Sequence, residues 1–317
     1  MVKKKRVYEY SEELKESLDN FDSLNYAKGV KRVDGIFWWT GVIATLFTLI
    51  FLFAVSVDLL IDGWTRLISP SFYTSYPSRF PEEAGILSAT VGTIYVMAGA
   101  IFWAVFLGVP AGIFLEEYGG KGRIARIIEA NIANLAAVPS IVYGLLALGI
   151  FVHRFKFGES ILTAGLTLGL LMLPVIVVST REAIRRIPRS VREAAYALGA
   201  TRWETLFHHI LPYSGGGILT GLIIGISRAI GETAPLITVG ALTFIAFLPP
   251  SPLTDPIGTL KSAFTVLPIQ MFNWVSRPQE EFHTNAAAAG FVLLVLALLM
   301  NSIAFYIRFR VRRKYQW

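Results

Sequence analysis

The sequence predicts an all-α membrane protein of six transmembrane helices, and three observations carry the prediction. Of 317 residues, 54% are hydrophobic and only 16% charged, too apolar for the surface of an ordinary soluble domain. The apolar residues come in unbroken runs, without the alternation of a half-buried strand or helix. The basic residues concentrate in alternate connections between those runs.

Residues 1–35 read as a cytoplasmic tail of mixed charge, opening on Lys3-Lys4-Lys5-Arg6, with a short amphipathic helix expected near 12–21. Such a tail suits solvent or lipid headgroups. The first span is 36–57; it starts too late and runs too long for a cleavable leader, so it is expected to remain as an anchor. An external loop follows over 58–83, and the permease-like core of five more helices covers 84–310. The runs 36–57, 84–115, 161–180 and 286–307 carry no charge, and each exceeds the roughly 18–20 residues that cross a bilayer core. The run 127–152 holds only Glu129, and 215–250 holds Arg228 and Glu232 near its middle. The last residues, 311–317, read as a second cytoplasmic tail.

Charge sets the orientation. Apart from Arg228, 22 of the 28 Lys and Arg residues fall before residue 36, in 116–126, in 181–214 or after 307. By the positive-inside rule both termini and the 181–214 loop are cytoplasmic. The same alternation explains the net charge of +7 without nucleic acid. Trp38, Trp39, Trp64 and Trp274 lie near expected span ends, where amphipathic rings favour the membrane interface. Gly217, Gly221 and Gly225 form one small-residue ridge and Gly165 and Gly169 another, so both mark close helix contacts. Pro110, Pro139, Pro174 and Pro235 fall inside the expected spans and permit kinks.

The most informative stretch is the polar loop 181–214. Glu193-Ala194-Ala195, then Gly199, then Leu211-Pro212, describe two short helices joined by a turn, the first from about 190 to 198. Gly199 supplies the turn at no Cβ cost, and Pro212 is expected to end the second helix. This spacing resembles the EAA loop of ABC-importer permeases, the helix-turn-helix by which a membrane subunit grips its ATPase. One position departs from that pattern: His209 stands where the family carries an apolar residue, and Ile210 follows one place late. The resemblance implies a type I ABC-importer permease fold, with Glu193, Ala194, Ala195, Gly199, Leu211 and Pro212 as the ATPase-coupling set.

The second feature is 227–235, Ser-Arg-Ala-Ile-Gly-Glu-Thr-Ala-Pro. A charge at mid-bilayer costs about 2.5–3.5 kcal/mol on insertion scales. Arg228 and Glu232 stand one helical turn apart, so they can pair and offset part of that cost, facing the bundle interior or an aqueous path. Ser227 and Thr233 add hydroxyls, Gly231 adds room, and an arginine fork suits an oxyanion, phosphate above all. Arg228–Pro235 resembles the signature of phosphate-importer permeases. Pro139–Gly144 and Asn273–His283 place the resemblance with the PstA-type family over the PstC-type, across about 85–307. It implies that Arg228, Glu232, Ser227 and Thr233 line a phosphate path. It also implies a PstC-type permease as heterodimer partner, a dimer of PstB-type ATP-binding subunits, a PstS-type phosphate-binding protein and surrounding membrane lipid. A permease for another oxyanion and a self-sufficient carrier or channel are the alternatives.

Other chemistries lack their residues. Gly119-Gly120-Lys121-Gly122 has neither the spacing nor the hydroxyl of a phosphate-binding loop, so no cofactor is expected in this chain, and ATP and Mg belong to the partner ATPase. His208 and His209 are adjacent and diverge on a helix, and there is no cysteine, so no metal is expected. Glu116-Glu117 reads as a solvated helix end or as packing near the ATPase, not as an acid–base pair. No nucleophile stands beside a base, so no catalytic residue is expected.

Overall fold

The computed structural model describes residues 23–119 and 122–314, and every regular element among them is helical. The helix expected near 12–21 lies outside the described residues. Among the described residues five helices are long and apolar enough to cross a membrane, and a bent pair can supply a sixth crossing. The chain divides into two compact units, Met1–Asp58 and Leu59–Trp317.

In the first unit, helix α1 (Ser23–Leu67) begins well before residue 36, so 23–35 of the expected tail is helical. The same helix runs through 58–67, expected as loop, and its last turns belong to the second unit. Phe37, Trp38, Trp39, Phe47, Phe51 and Phe53 are all exposed, which suits a helix whose solvent is hydrocarbon.

The second unit is built around α6 (Ile161–Arg185). Its apolar window is 67% buried, against 28% or less for the other long helices. Between α1 and α6 come α2 (Pro70–Thr74), α3 (Leu87–Ile113), α4 (Arg123–Ala136) and α5 (Ser140–Ala147). The glycine ridges place α6 at the centre. Gly165 lies on Gly99 of α3, and a Cβ on Gly169 would come within 3.1 Å of the Trp103 side chain. On its other side α6 receives α9 (Leu211–Ala229): Gly217 sits on Ala183, Gly221 on Ser179 and Gly225 on Met172. Where lipid removes the hydrophobic drive between helices, such backbone approach is what holds them.

The third expected span, 127–152, is not one helix. It is α4 and α5, bent by 109° about Ala137–Pro139, with α5 closing on a wide π-helical stretch, Leu148–Arg154. Pro139 removes a backbone donor and holds the preceding residue extended, so it ends a helix here where a kink was expected. The fifth span also stops short. After α9 come α10 (Ala234–Thr238), an irregular stretch, α11 (Pro256–Lys261), α12 (Leu267–Val275) and the 35-residue α13 (Glu280–Lys314), which absorbs most of the expected C-terminal tail. Pro110 and Pro174 remain inside α3 and α6, whereas Pro235 opens α10.

The chain between α10 and α12 packs over one end of α3. Thr93 Oγ1 accepts the Leu267 N–H at 2.9 Å, Ser88 Oγ donates to the Ile245 carbonyl, and Gly92 leaves room for the Thr265 backbone. Trp274 is wholly buried there between Phe72 and Phe282, with centroids at 6.1 and 6.5 Å. It is therefore a core residue and not an interface ring. The flanking Pro278 and aromatic residues did not distinguish these two fates.

Candidate functional site

Two regions carry the chemistry, and one helix joins them. The first is the polar connection after α6. Pro188 precedes α7 (Arg189–Ala197) with extended backbone, and Gly199 closes it with φ +84°, the left-handed region that side chains disfavour. The Gly199 N–H donates to the Tyr196 carbonyl and the Ala200 N–H to that of Ala195, satisfying the helix end. Thr201 then opens α8 (Arg202–Thr205) with a reciprocal cap: its N–H donates to the Glu204 carboxylate and its Oγ1 accepts the Glu204 N–H.

Pro212 does not end this helix. The chain stays helical from Arg202 to Ala229 through a π-helical turn, Leu206–Ile210, in which the Leu211 N–H reaches back to the Leu206 carbonyl. Such a turn accommodates one extra residue and relieves the carbonyl that a proline leaves without a donor. It also accounts for Ile210 coming one place late. With the added residue, Ile210 joins Leu206, Ile184 and Ile187 in a buried cluster, while His208 and His209 stay exposed.

The coupling residues separate by face. Ala195 is buried with Val191 on the inward side of α7, whereas Glu193 and Ala194 are exposed. Both alanines were expected to face a partner; only Ala194 is placed to do so. Leu198 is 90% exposed, and Tyr196, Trp203 and Phe207 are exposed beside it in sequence, with the last two rings 4.2 Å apart. This apolar patch on a polar loop was missed because each residue read singly is unremarkable on a helix.

Ion pairs fix the loop. Arg192 binds Glu117 at 2.6 Å and donates to the Ile187 and Ile184 carbonyls, tying α7 to the ends of α3 and α6. Glu116 receives Arg185 at 3.0 Å, and Arg181 reaches Glu129 at 2.8 Å. The Glu116-Glu117 pair is thus partnered within the chain and is not a solvated end. Glu117 and Arg192 are both mostly buried, so losing either would strand the other.

The second region is the end of α9. The helix stops at Ala229, and Glu232 sits in the break before α10, since Pro235 gives no N–H and Gly231 favours no helix. Arg228 and Glu232 still approach, with Nε to Oε1 at 3.9 Å, but they are not on one continuous helical face. Nor does Arg228 point into the bundle core: it lies on an open face with its side chain 37% exposed, while that of Glu232 is 20% exposed. At that distance the pair makes no hydrogen bond, and among the described residues Arg228 spends none, so its five N–H donors remain available.

Ser227 hydrogen-bonds Ile223 of its own helix and Asn301 of α13, the latter at 3.0 Å. Thr233 makes one long contact to the Gly231 carbonyl. Asn301 is the residue that sequence reading overlooked; its signal was a lone amide in an otherwise apolar run. Gly144 packs on Pro235 and Thr238, so Pro139–Gly144 and Arg228–Pro235 meet in space. The stretch Asn273–His283 lies apart, around Trp274. The helix from Arg202 to Arg228 is about 40 Å long at 1.5 Å per residue. The structure therefore has the form of a membrane permease: an open polar break at one end of a rod, and an exposed helical loop with an apolar patch at the other.

The chain belongs to the family of binding-protein-dependent transport system inner membrane components, matched over residues 108–313. A solved bacterial alginate ABC transporter shares the fold, with TM-score 0.61 at 16% identity over 90% of this chain and 97% of that one. More particularly, the chain is 30% identical to phosphate transport system permease protein PstA 1 of Mycobacterium tuberculosis, covering 93% of this chain and 94% of the relative. It is 32% identical to PstA of Mycobacterium leprae, over 89% and 90%. It is a multi-pass membrane protein of a transport family that is not itself enzymatic.

Proposed function

We propose that this chain is the PstA-type permease subunit of an ATP-driven phosphate importer. The observation that carries the reading is the single helix from Arg202 to Ala229, with the coupling loop at one end and the uncommitted Arg228 guanidinium at the other. The homology to PstA proteins supplies the substrate. Arg228, with Ser227, Glu232 and Thr233, lines half of a phosphate path whose other half comes from a PstC-type subunit seated on the open face. Glu232 holds Arg228 loosely when no anion is present and gives it up to phosphate, a stronger partner for the fork. A PstS-type binding protein selects phosphate outside, so the membrane path need only bind weakly.

ATP and Mg are held by a PstB-type dimer docked on Glu193, Ala194, Leu198 and the rings beside them. Movement of that dimer shifts α7 and, through the Arg202–Ala229 rod, reshapes the break at Arg228. The core 84–310 performs this work in the cytoplasmic membrane, with both termini inside. A cysteine placed at Ser190 is expected to react with a membrane-impermeant thiol reagent only after cells are opened; labelling from outside intact cells would invert the topology and remove the coupling role. The functional test is reconstitution. Liposomes holding both permeases, the ATPase and the binding protein take up phosphate only with ATP, and those lacking the ATPase take up none. Uptake by the permeases alone would make this a self-sufficient carrier.

A further inference from the structure

Where the last turn of α6, the start of α9 and the end of α13 meet, an open cleft of about 450 Å³ is lined by Arg186, Arg308 and Arg312. Ser214 and Thr220 contribute hydroxyls to its wall, and among the described residues no carboxylate lines it. Among the described residues none of the three arginines makes an ion pair. Their neighbours behave otherwise. Arg181, Arg185 and Arg192 are bound to glutamates, and Arg310 and Arg313 lie over the Tyr306 and Phe309 rings. The three guanidiniums that line the cleft have neither kind of partner among the described residues. Like charges gathered in one cavity repel, and an anion between them turns that repulsion into attraction.

We propose that this cleft is a second anion site, which takes a phosphate group. Guanidinium forks match phosphate oxygens two at a time, so three of them suit one such group, while the Ser214 and Thr220 hydroxyls already donate to the Leu211 and Gly216 carbonyls. The site lies on a polar seam. Thr220 precedes Ser227 by seven residues on α9, Arg308 follows Asn301 by seven on α13, and Ser227 bonds Asn301. Two helical turns, about 10 Å, therefore separate the level of the Arg228 break from that of the cleft. The phosphate group has two sources with one chemistry: inorganic phosphate, or the headgroup of an anionic phospholipid. Only the first rests on the transport reading above.

The test uses the permease–ATPase complex carrying Arg228→Gln, so that the transport site is weakened roughly ten- to a hundredfold. Two probes are measured: radiolabelled orthophosphate in lipid-free detergent, and phosphatidylglycerol retained after exchange from phosphatidylcholine nanodiscs. Arg186→Gln, Arg308→Gln and Arg312→Gln are compared with Arg310→Gln and Arg313→Gln, which remove equal charge from beside the cleft. Affinity for one probe falls about tenfold or more in the cleft variants and less than about twofold in the controls. Loss confined to orthophosphate identifies the free anion; loss confined to phosphatidylglycerol identifies the lipid. Equal loss in cleft and control variants, or no binding of either probe, overturns the site. Melting curves matching the parent complex separate lost binding from lost folding. Because the readout is binding and not uptake, failure of phosphate transport would leave this result interpretable.

Discussion

Phosphate uptake by the complete transporter falls roughly ten- to a hundredfold when Arg228 is replaced by Gln, while the complex still assembles. The magnitude is that of losing hydrogen bonds to a charged partner, about 1.5–3 kcal/mol. Assembly survives because Arg228 lies on an open face, makes no hydrogen bond among the described residues and meets Glu232 only at 3.9 Å. Little of the fold depends on it. Glu232→Gln gives a smaller loss, since it frees the guanidinium to retain the anion and does not remove the binding group. Radiolabelled phosphate uptake at matched protein levels measures both. Near-normal uptake by Arg228→Gln would reduce the pair to a structural contact.

The second large effect is expected at Gly199. A β-branched residue at φ +84° carries strain of about 1–3 kcal/mol, which the loop relieves by turning α7 away from its seat. Nothing lies within 4 Å of a Cβ added at Gly199, so the strain is conformational and the bundle is not disturbed by a clash. Gly199→Val should therefore fold and pair normally, yet lose ATPase docking or hydrolyse ATP without moving phosphate. Ala194→Leu should act at the same interface by overfilling it. Ala195→Leu differs in kind: its side chain is buried, so it damages the permease itself. Co-purification of the ATPase with each variant separates these outcomes. Full docking and tight coupling in Gly199→Val would make the loop an ordinary connector.

The sequence carried the helical class and the glycine ridges, because a small residue every fourth position has one physical use in lipid. It also carried Gly199, since a left-handed turn narrows the choice of residue. What it could not carry was continuity. Pro139 and Pro235 interrupt apolar runs that read as single spans, while Pro212, which read as a stop, is absorbed by a π-helical turn. Whether a proline breaks, bends or merely loosens a helix depends on neighbours that hydropathy does not record. Faces were equally hidden: Ala194 and Ala195 are adjacent letters on opposite sides of a contact, and Trp274 was indistinguishable from an interfacial ring until Phe72 and Phe282 closed around it. The Glu117–Arg192 bond joins residues 75 apart, beyond any local pattern.

The central claim is that one rod links ATP hydrolysis at the loop to phosphate at Arg228. Phosphate moved per ATP hydrolysed, measured in one preparation of liposomes for the parent complex, Arg228→Gln and Gly199→Val, tests it most directly. A fixed ratio is expected in the parent and a ratio near zero in both variants, although the substitutions lie at opposite ends of the rod. A parental ratio in either variant would contradict it.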